Sequence, residues 1–350
     1  MPRTLLIRAD ASTSVGMGHA MRCLALGQAW QDAGGSVAFR LTNVLPALES
    51  RLRVEGMTVL APAGDVDSQS DAVATAKAAS ALGAEWVVID GYGFDAAYND
   101  AVRDAGVRVL CVDDNAHLAR YAADIVLNQN ACAREAMYAD LAPSARVLAG
   151  SAFAMLRREF VGELAPVRET PDIARHVLVT FGGSDPLGLT GAVLGVLADL
   201  HMPLEIVAVT GLGNPRYAEV VEIASAIEGC RVESAVDDMR GLMMWADVAL
   251  SAGGSTMWEM CYLGLPFAAL AVAENQRDSV RFVANRGIAV DLGDPSKLGS
   301  TSARAAVRGL LENPEARRQQ GHGGQALIDG GGARRVVDAV MQHMDGTEAR

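Results

Sequence analysis

Residues 8–23 read RADASTSVGMGHAMRC, and the way this stretch joins its neighbours decides the fold. Ahead of it, Thr4-Leu5-Leu6-Ile7 is a short apolar run ending in charge; behind it, Ala20, Leu24, Ala25 and Ala29 recur at helical spacing. Gly16 and Gly18 permit a sharp reversal between the two. Strand, glycine-paired turn and helix in that order open an α/β sheet, whose chemistry gathers where its strands end. His19 is thereby expected at the start of the first helix, in the crevice at the carboxyl edge of the sheet. There the helix dipole favours a neutral imidazole able to accept a proton. The same residues also fit a plain tight turn with His19 satisfied by local backbone. Arg8 and Gly18 lie at the same edge and are candidate substrate contacts. Asp10, two residues past Arg8, either orients His19 or holds the turn.

Outward from this stretch the alternation continues. Apolar runs at 5–8, 37–41, 86–90, 107–112 and 125–127 are separated by alanine-rich helical stretches such as 70–82 and 96–105, the pattern of a parallel, doubly wound sheet. A second series follows at 177–181, 204–209, 232, 248–251 and 267–271, with helices expected near 190–200, 216–226, 256–263 and 277–285. LAPVRETPDIAR, charged and with two prolines, lies between the series and is expected as a hinge over 164–175. The reading is α/β with two Rossmann-like domains, 1–163 and 176–330, and ligands in a cleft between them.

Composition narrows the function classes. The 350 residues carry a formal charge of −12, spread over both halves, with 12 basic against 17 acidic residues in 1–150. No basic face is left for nucleic acid or an anionic membrane. The first apolar run breaks after four residues, far short of a signal peptide or a membrane span, so a soluble cytoplasmic protein is expected, a monomer or weak homo-oligomer. The five cysteines, Cys23, Cys111, Cys132, Cys230 and Cys261, show neither disulfide nor zinc spacing. They read as reduced core residues.

The second series carries two glycine-rich turns after strands, Phe181-Gly182-Gly183-Ser184-Asp185 and Ser251-Ala252-Gly253-Gly254-Ser255-Thr256. Each offers backbone N–H groups and hydroxyls suited to phosphate; glycine for tight packing is the other reading. Glu259, a turn beyond Ser255, can accept from both hydroxyls of a ribose or can be a helix N-terminal glutamate favoured by the dipole. Asn275 and Gln276 follow a strand and pair two amides suited to sugar hydroxyls or an acetamido group. Val236-Asp237-Asp238-Met239 lies before a helix, and its backbone is placed to read a base edge. In the first series, Asp90-Gly91-Tyr92 and Asp113-Asp114-Asn115 end successive strands, and for the paired aspartates a structural role and catalysis stand equal. Nicotinamide binding is disfavoured: GMGHAM has no third glycine, and the second strand ends in Arg40-Leu41-Thr42 without the acidic residue.

RADASTSVGMGHAMRC, VDDNAHLARYAADIVLNQN, LRREF, VTFGGSDPLGLT and SAGGSTMWEMCYLGLPFAALAVAENQ together resemble the PseG family, the UDP-sugar hydrolases of pseudaminic acid biosynthesis, which are similar to MurG-like glycosyltransferases. The resemblance spans residues 8–276 in the family order. It implies the GT-B fold, a C-terminal nucleotide domain, and a C-terminal helix in 331–350, with Val336, Val337 and Val340, crossing back to the first domain. It implies hydrolysis of UDP-2,4-diacetamido-2,4,6-trideoxy-β-L-altropyranose to UDP and free sugar with inversion, needing no cofactor and no metal. By the resemblance His19 is the base for water and Tyr92 lies near the sugar; with Asp10, read above from its place beside the turn, they make the expected catalytic set. The resemblance places Gly253, Gly254 and Ser255 on the diphosphate, Glu259 on the ribose and Asn275 with Gln276 on the sugar; Thr256, Gly183 and Ser184 are further phosphate candidates, and Val236 and Met239 candidates for the base. Phe153 stands where a tyrosine is expected, and Gly91 loosens the 90–95 loop. A GT-B transferase using a UDP-sugar donor and a soluble acceptor is the alternative.

Overall fold

The computed structural model describes residues 3–9, 18–41, 46–61, 68–162, 167–211, 214–234 and 236–344. The chain divides into two compact units, one of residues 1–158 with 330–350, the other of 159–329.

The first unit runs β1 (Thr4–Ala9), α1 (Gly18–Asp32), β2 (Ser36–Leu41), α2 (Pro46–Val54), β3 (Thr58–Val59), α3 (Ser68–Leu82), β4 (Ala84–Asp90), α4 (Ala96–Asp104), β5 (Arg108–Val112), β6 (Ile125–Asn128) and β7 (Arg146–Ala149). All seven strands are parallel, in the order β3-β2-β1-β4-β5-β6-β7. A parallel sheet is covered on both faces, so its strands are apolar throughout. Leu5, Leu6 and Ile7 are accordingly all buried. Leu5 and Ile7 pack with Trp30, Phe39 and Trp86 on one side, Leu6 with Val87, Ile89, Val109 and Tyr98 on the other.

The second unit runs β8 (His176–Thr180), α5 (Leu189–Ala198), β9 (Glu205–Val209), α6 (Tyr217–Ser225), β10 (Cys230–Glu233), α7 (Met239–Trp245), β11 (Val248–Ala252), α8 (Thr256–Tyr262), β12 (Phe267–Leu270), α9 (Glu274–Ala284), β13 (Val290–Asp291), α10 (Thr301–Glu312) and α11 (Pro314–Leu327). Its six parallel strands are ordered β10-β9-β8-β11-β12-β13, repeating the winding of the first. Each sheet reverses direction between its first and fourth strands, the place where ligands bind in doubly wound folds. The glycine turns after β8 and β11 leave the second sheet at that point, and the segment after β4 leaves the first sheet at the corresponding one.

A last helix, α12 (Gly332–Met344), belongs to the first unit and packs Val336, Val337 and Val340 into the same cluster as Leu24 and Trp30. The described part of the segment expected as a hinge lies within the second unit. Arg168 donates there to the carbonyls of Met243 and Ala246, and Arg317 to those of Pro171 and Asp172. Two arginines thus tie down a stretch that its composition marks as a linker. Among the described residues no helix is long and apolar enough to cross a membrane, and none of the cysteines is joined in a disulfide.

Candidate active site

In the first unit, chemistry collects at the switch point between β1 and β4. His19 sits in the first turn of α1 and is buried. Its Nδ1 lies 2.6 Å from Oδ1 of Asp90, the last residue of β4. Arg22, one turn on and therefore on the same helix face, donates to both oxygens of that carboxylate, Nη2 to Oδ1 at 2.6 Å and Nε to Oδ2 at 2.7 Å. The Cys23 thiol donates to Oδ2 at 3.2 Å.

Burial alone would raise the Asp90 carboxyl, but the Arg22 guanidinium, with His19 behind it, outweighs burial and holds it far below the usual carboxylate range. An ionised Asp90 settles which ring nitrogen of a neutral His19 bears the proton. At 2.6 Å from a carboxylate Nδ1 must donate, leaving the lone pair on Nε2. Arg22 Nη2 also lies 3.0 Å from Nδ1, but it has the nearer oxygen of Asp90 to serve. Nε2 has no hydrogen-bond partner among the described residues.

Arg22 reaches further. Its Nη1 donates at 2.6 Å to Asp114, just past β5, whose other oxygen accepts from the Tyr92 hydroxyl at 2.8 Å. Against the desolvation that favours its neutral form, Asp114 is kept low by Arg22, and Arg22 is held firmly charged by Asp114 and Asp90 in spite of its burial. The Tyr92 phenol is pushed up by burial and by Asp114, so it stays protonated. Its ring lies edge-on to His19, centroids 5.0 Å apart. Asp113, by contrast, is consumed structurally: it accepts from Tyr121, Tyr138 and His117 and from the backbone of Asn115 and Ala116.

Of the first-unit candidates, His19 and Tyr92 come together, with Gly18 exposed at the start of the same helix. Arg8 belongs to a different network. It is buried, donates to Asp71 at 2.9 Å and lies over the Phe94 ring, and Arg40 and Tyr98 share the same carboxylate. Asp10 lies outside the described residues. Sequence reasoning missed Arg22 altogether and left Asp90 without a partner. The i, i+3 spacing of His19 and Arg22 was the available signal.

In the second unit, Gly183 and Ser184 follow β8, where the Gly183 carbonyl accepts from Gly211 N, and Asp185 caps α5 through Leu189 N and Thr190 N. Gly253, Gly254 and Ser255 follow β11 and lead into α8 at Thr256. A side chain at Gly253 would meet Val280 Cγ2 at 2.4 Å and Gln276 Cβ at 3.2 Å, so packing against α9 by itself demands glycine there. Gln276 and Asn275 lie in the first turn of α9, beside this loop. Gln276 Oε1 accepts from Val272 N at 3.0 Å, which leaves its amide nitrogen toward Gly254. Glu259 is buried within α8. Val236 and Met239 flank Asp238, which caps Gly241 N at 2.7 Å. Among the described residues no group of three or more His, Cys, Asp or Glu side chains is arranged to hold a metal ion.

Comparison with known proteins agrees with the resemblance read from the motifs. The chain is 26% identical over 291 residues to the UDP-2,4-diacetamido-2,4,6-trideoxy-beta-L-altropyranose hydrolase of Campylobacter jejuni, covering 82% of this chain and 98% of that protein. It is 30% identical over 173 residues to the spore coat polysaccharide biosynthesis protein SpsG of Bacillus subtilis, covering 49% of this chain and about half, 50%, of that relative. Among solved structures, MurG of Acinetobacter baumannii superposes with a TM-score of 0.65 at 18% identity, over 97% of this chain and all of its own. No family model matches the chain. The architecture is that of the GT-B fold.

Proposed function

We propose that this protein is a UDP-sugar hydrolase, releasing UDP and a free diacetamido-trideoxy sugar with inversion at the anomeric carbon, a step of pseudaminic acid biosynthesis. The observation that carries this reading is the His19–Asp90 pair at 2.6 Å, a carboxylate-oriented imidazole whose free nitrogen is the basic one. The hydrolase activity named for the Campylobacter relative supplies the substrate class.

In the proposed reaction His19 Nε2 takes a proton from water as the oxygen attacks the anomeric carbon. Asp90, Asp114 and Arg22 together carry one net negative charge, so the imidazolium that forms is compensated where it forms. UDP leaves readily, and backbone N–H groups of Gly253, Gly254 and Ser255 stabilise its growing charge. Glu259 accepts from the ribose hydroxyls, Gly183 and Ser184 contact the phosphates, Val236 and Met239 the base, and Asn275, Gln276 and Tyr92 the sugar.

The test is to incubate the protein with a panel of UDP-sugars and no acceptor, and to follow UDP. Release from a UDP-diacetamido-trideoxy sugar is expected. Release that appears only when an acceptor sugar is added would make the protein a transferase, and binding with no release a sensor.

A further inference from the structure

We propose that Arg22 and Asp114 are positioning residues which, acting through Asp90 and Tyr92, fix the tautomer of His19 and the place of the phenol beside it. The proposal rests on His19 being the base of the reaction above.

The bonds form a closed circuit. His19 is joined to Asp90, Asp90 to Nε and Nη2 of Arg22, Arg22 Nη1 to Asp114, Asp114 to the Tyr92 hydroxyl, and the Tyr92 ring returns to the edge of His19. Only a planar fork can serve two carboxylates in fixed directions at once; a lysine ammonium on its flexible stem can neutralise them but cannot hold both in register. The far end is anchored as well. Asn130 Nδ2 donates to both the side chain and the carbonyl of Asp114, and the neighbouring Asp113 is locked by three side-chain and two backbone donors. Asp114 therefore stands on a rigid loop, and the circuit transfers that rigidity to a base on another element.

The charges have opposite signs of action on His19. Among the described residues its ring meets Asp90 from β4, Arg22 from α1 and Tyr92 beyond β4, and the titratable groups that touch these are the Cys23 thiol, Asp114 beyond β5, and His117, whose ring centroid lies 5.8 Å from that of Tyr92. Asp90 and Asp114 favour the imidazolium; Arg22, 3.0 Å from Nδ1, disfavours it. Removing the cation must push protonation of His19 to higher pH, and neutralising Asp114 must pull it lower. Coulomb's law gives these two directions whatever else the residues do, so the positioning role is read from Arg22→Lys, which keeps the charge and loses the fork.

The experiment follows the ring nitrogens of His19 by NMR across pH in the full chain without ligand, alongside the pH dependence of kcat/KM for UDP release. In the wild type Nδ1 carries the proton and Nε2 does not. Arg22→Gln should shift the titration and the acid limb of kcat/KM upward by about one pH unit or more, the low end for a charge in hydrogen-bond contact. Asp114→Asn should shift both downward by a smaller step. Arg22→Lys should leave the limb near its wild-type position yet lower kcat/KM by about tenfold or more, the loss expected of a misplaced base. Shifts in one common direction, no shift, or a lysine variant as active as wild type would overturn the proposal. Should Arg22→Gln not fold, Asp114→Asn decides alone, and an unmoved titration overturns it. A wild type that releases no UDP would sink the functional reading, while the ring-nitrogen titration would still judge the circuit.

Discussion

At the scale of single residues, the site depends on a proton held in one place. His19→Asn is smaller but keeps an N–H donor on the γ-carbon, as Nδ1 is, and has no basic nitrogen, so turnover should fall by about 10² or more with UDP affinity nearly unchanged; near-normal turnover would return His19 to a helix-terminal role. Glu259→Ala should do the reverse. Loss of a charge-assisted bond to ribose is worth about 1.5–3 kcal/mol, read by calorimetry with UDP, and unchanged affinity would make the glutamate structural. Asp90 links the same site to stability. It ionises more readily in the folded chain than in the unfolded one because Arg22 and His19 overcome its burial. Its contribution is therefore complete above the unfolded carboxylate pKa of about 3.9 and is lost as pH falls below it toward the depressed folded value. Asp90→Asn should cost about 3–5 kcal/mol at neutral pH, as for one partner removed from a buried ion pair, and should flatten the acid limb of the stability curve. An unfolding series between pH 7 and pH 2 in which variant and wild type run parallel would contradict this.

At the scale of elements, sequence legibility followed length and apolar period. The runs at 5–8, 86–90 and 248–251 are strands because a doubly covered sheet needs them apolar throughout. β3 and β13, two residues each, are too short to carry a period, and β7, RVLA between polar turns, has too little pattern to stand out. α11 was hidden for another reason. Its sequence PEARRQQGHGGQAL holds three glycines, which count against a helix, yet a side chain at Gly321 would lie 2.8 Å from the Gly264 carbonyl and one at Gly324 would lie 2.9 Å from Cys261 Cα. Close approach to α8 overrides propensity there. In the site, the glycine turns and His19 were legible from local sequence, whereas the bond from His19 to Asp90 spans 71 positions and exists only because β4 is laid beside β1. The docking of α12 gives the prediction at this scale. A side chain at Gly332 would fall 2.1 Å from the Ala154 carbonyl oxygen, a backbone atom that cannot turn aside. Gly332→Ala should destabilise by about 1–3 kcal/mol, while Gly195→Ala in α5, with nothing within 4 Å of the added carbon, should stabilise by about 0.5–1 kcal/mol. Urea midpoints moving alike in both would show that helix propensity and not contact governs.

At the scale of the whole molecule, the proposed function assigns the base to one unit and the diphosphate to the other, and that assignment predicts which bond breaks. The first unit carries the oriented imidazole and its compensating charges. The second carries the glycine turns suited to a diphosphate. Attack at phosphorus would need an activated water at those turns, from a metal or a base. Attack at the anomeric carbon needs only His19 and a leaving group whose charge is already stabilised. Cleavage should therefore fall between the anomeric carbon and the glycosidic oxygen, so that turnover in ¹⁸O-labelled water puts the label in the sugar and leaves UDP unlabelled. The sugar must be read at early times, because the free anomeric hydroxyl exchanges with solvent and erases its own record, whereas UDP oxygens do not. Unlabelled UDP is thus the firmer of the two readouts. Label in UDP would place the attack at phosphorus, and both His19 as the base and the assignment of the two units would have to be given up together.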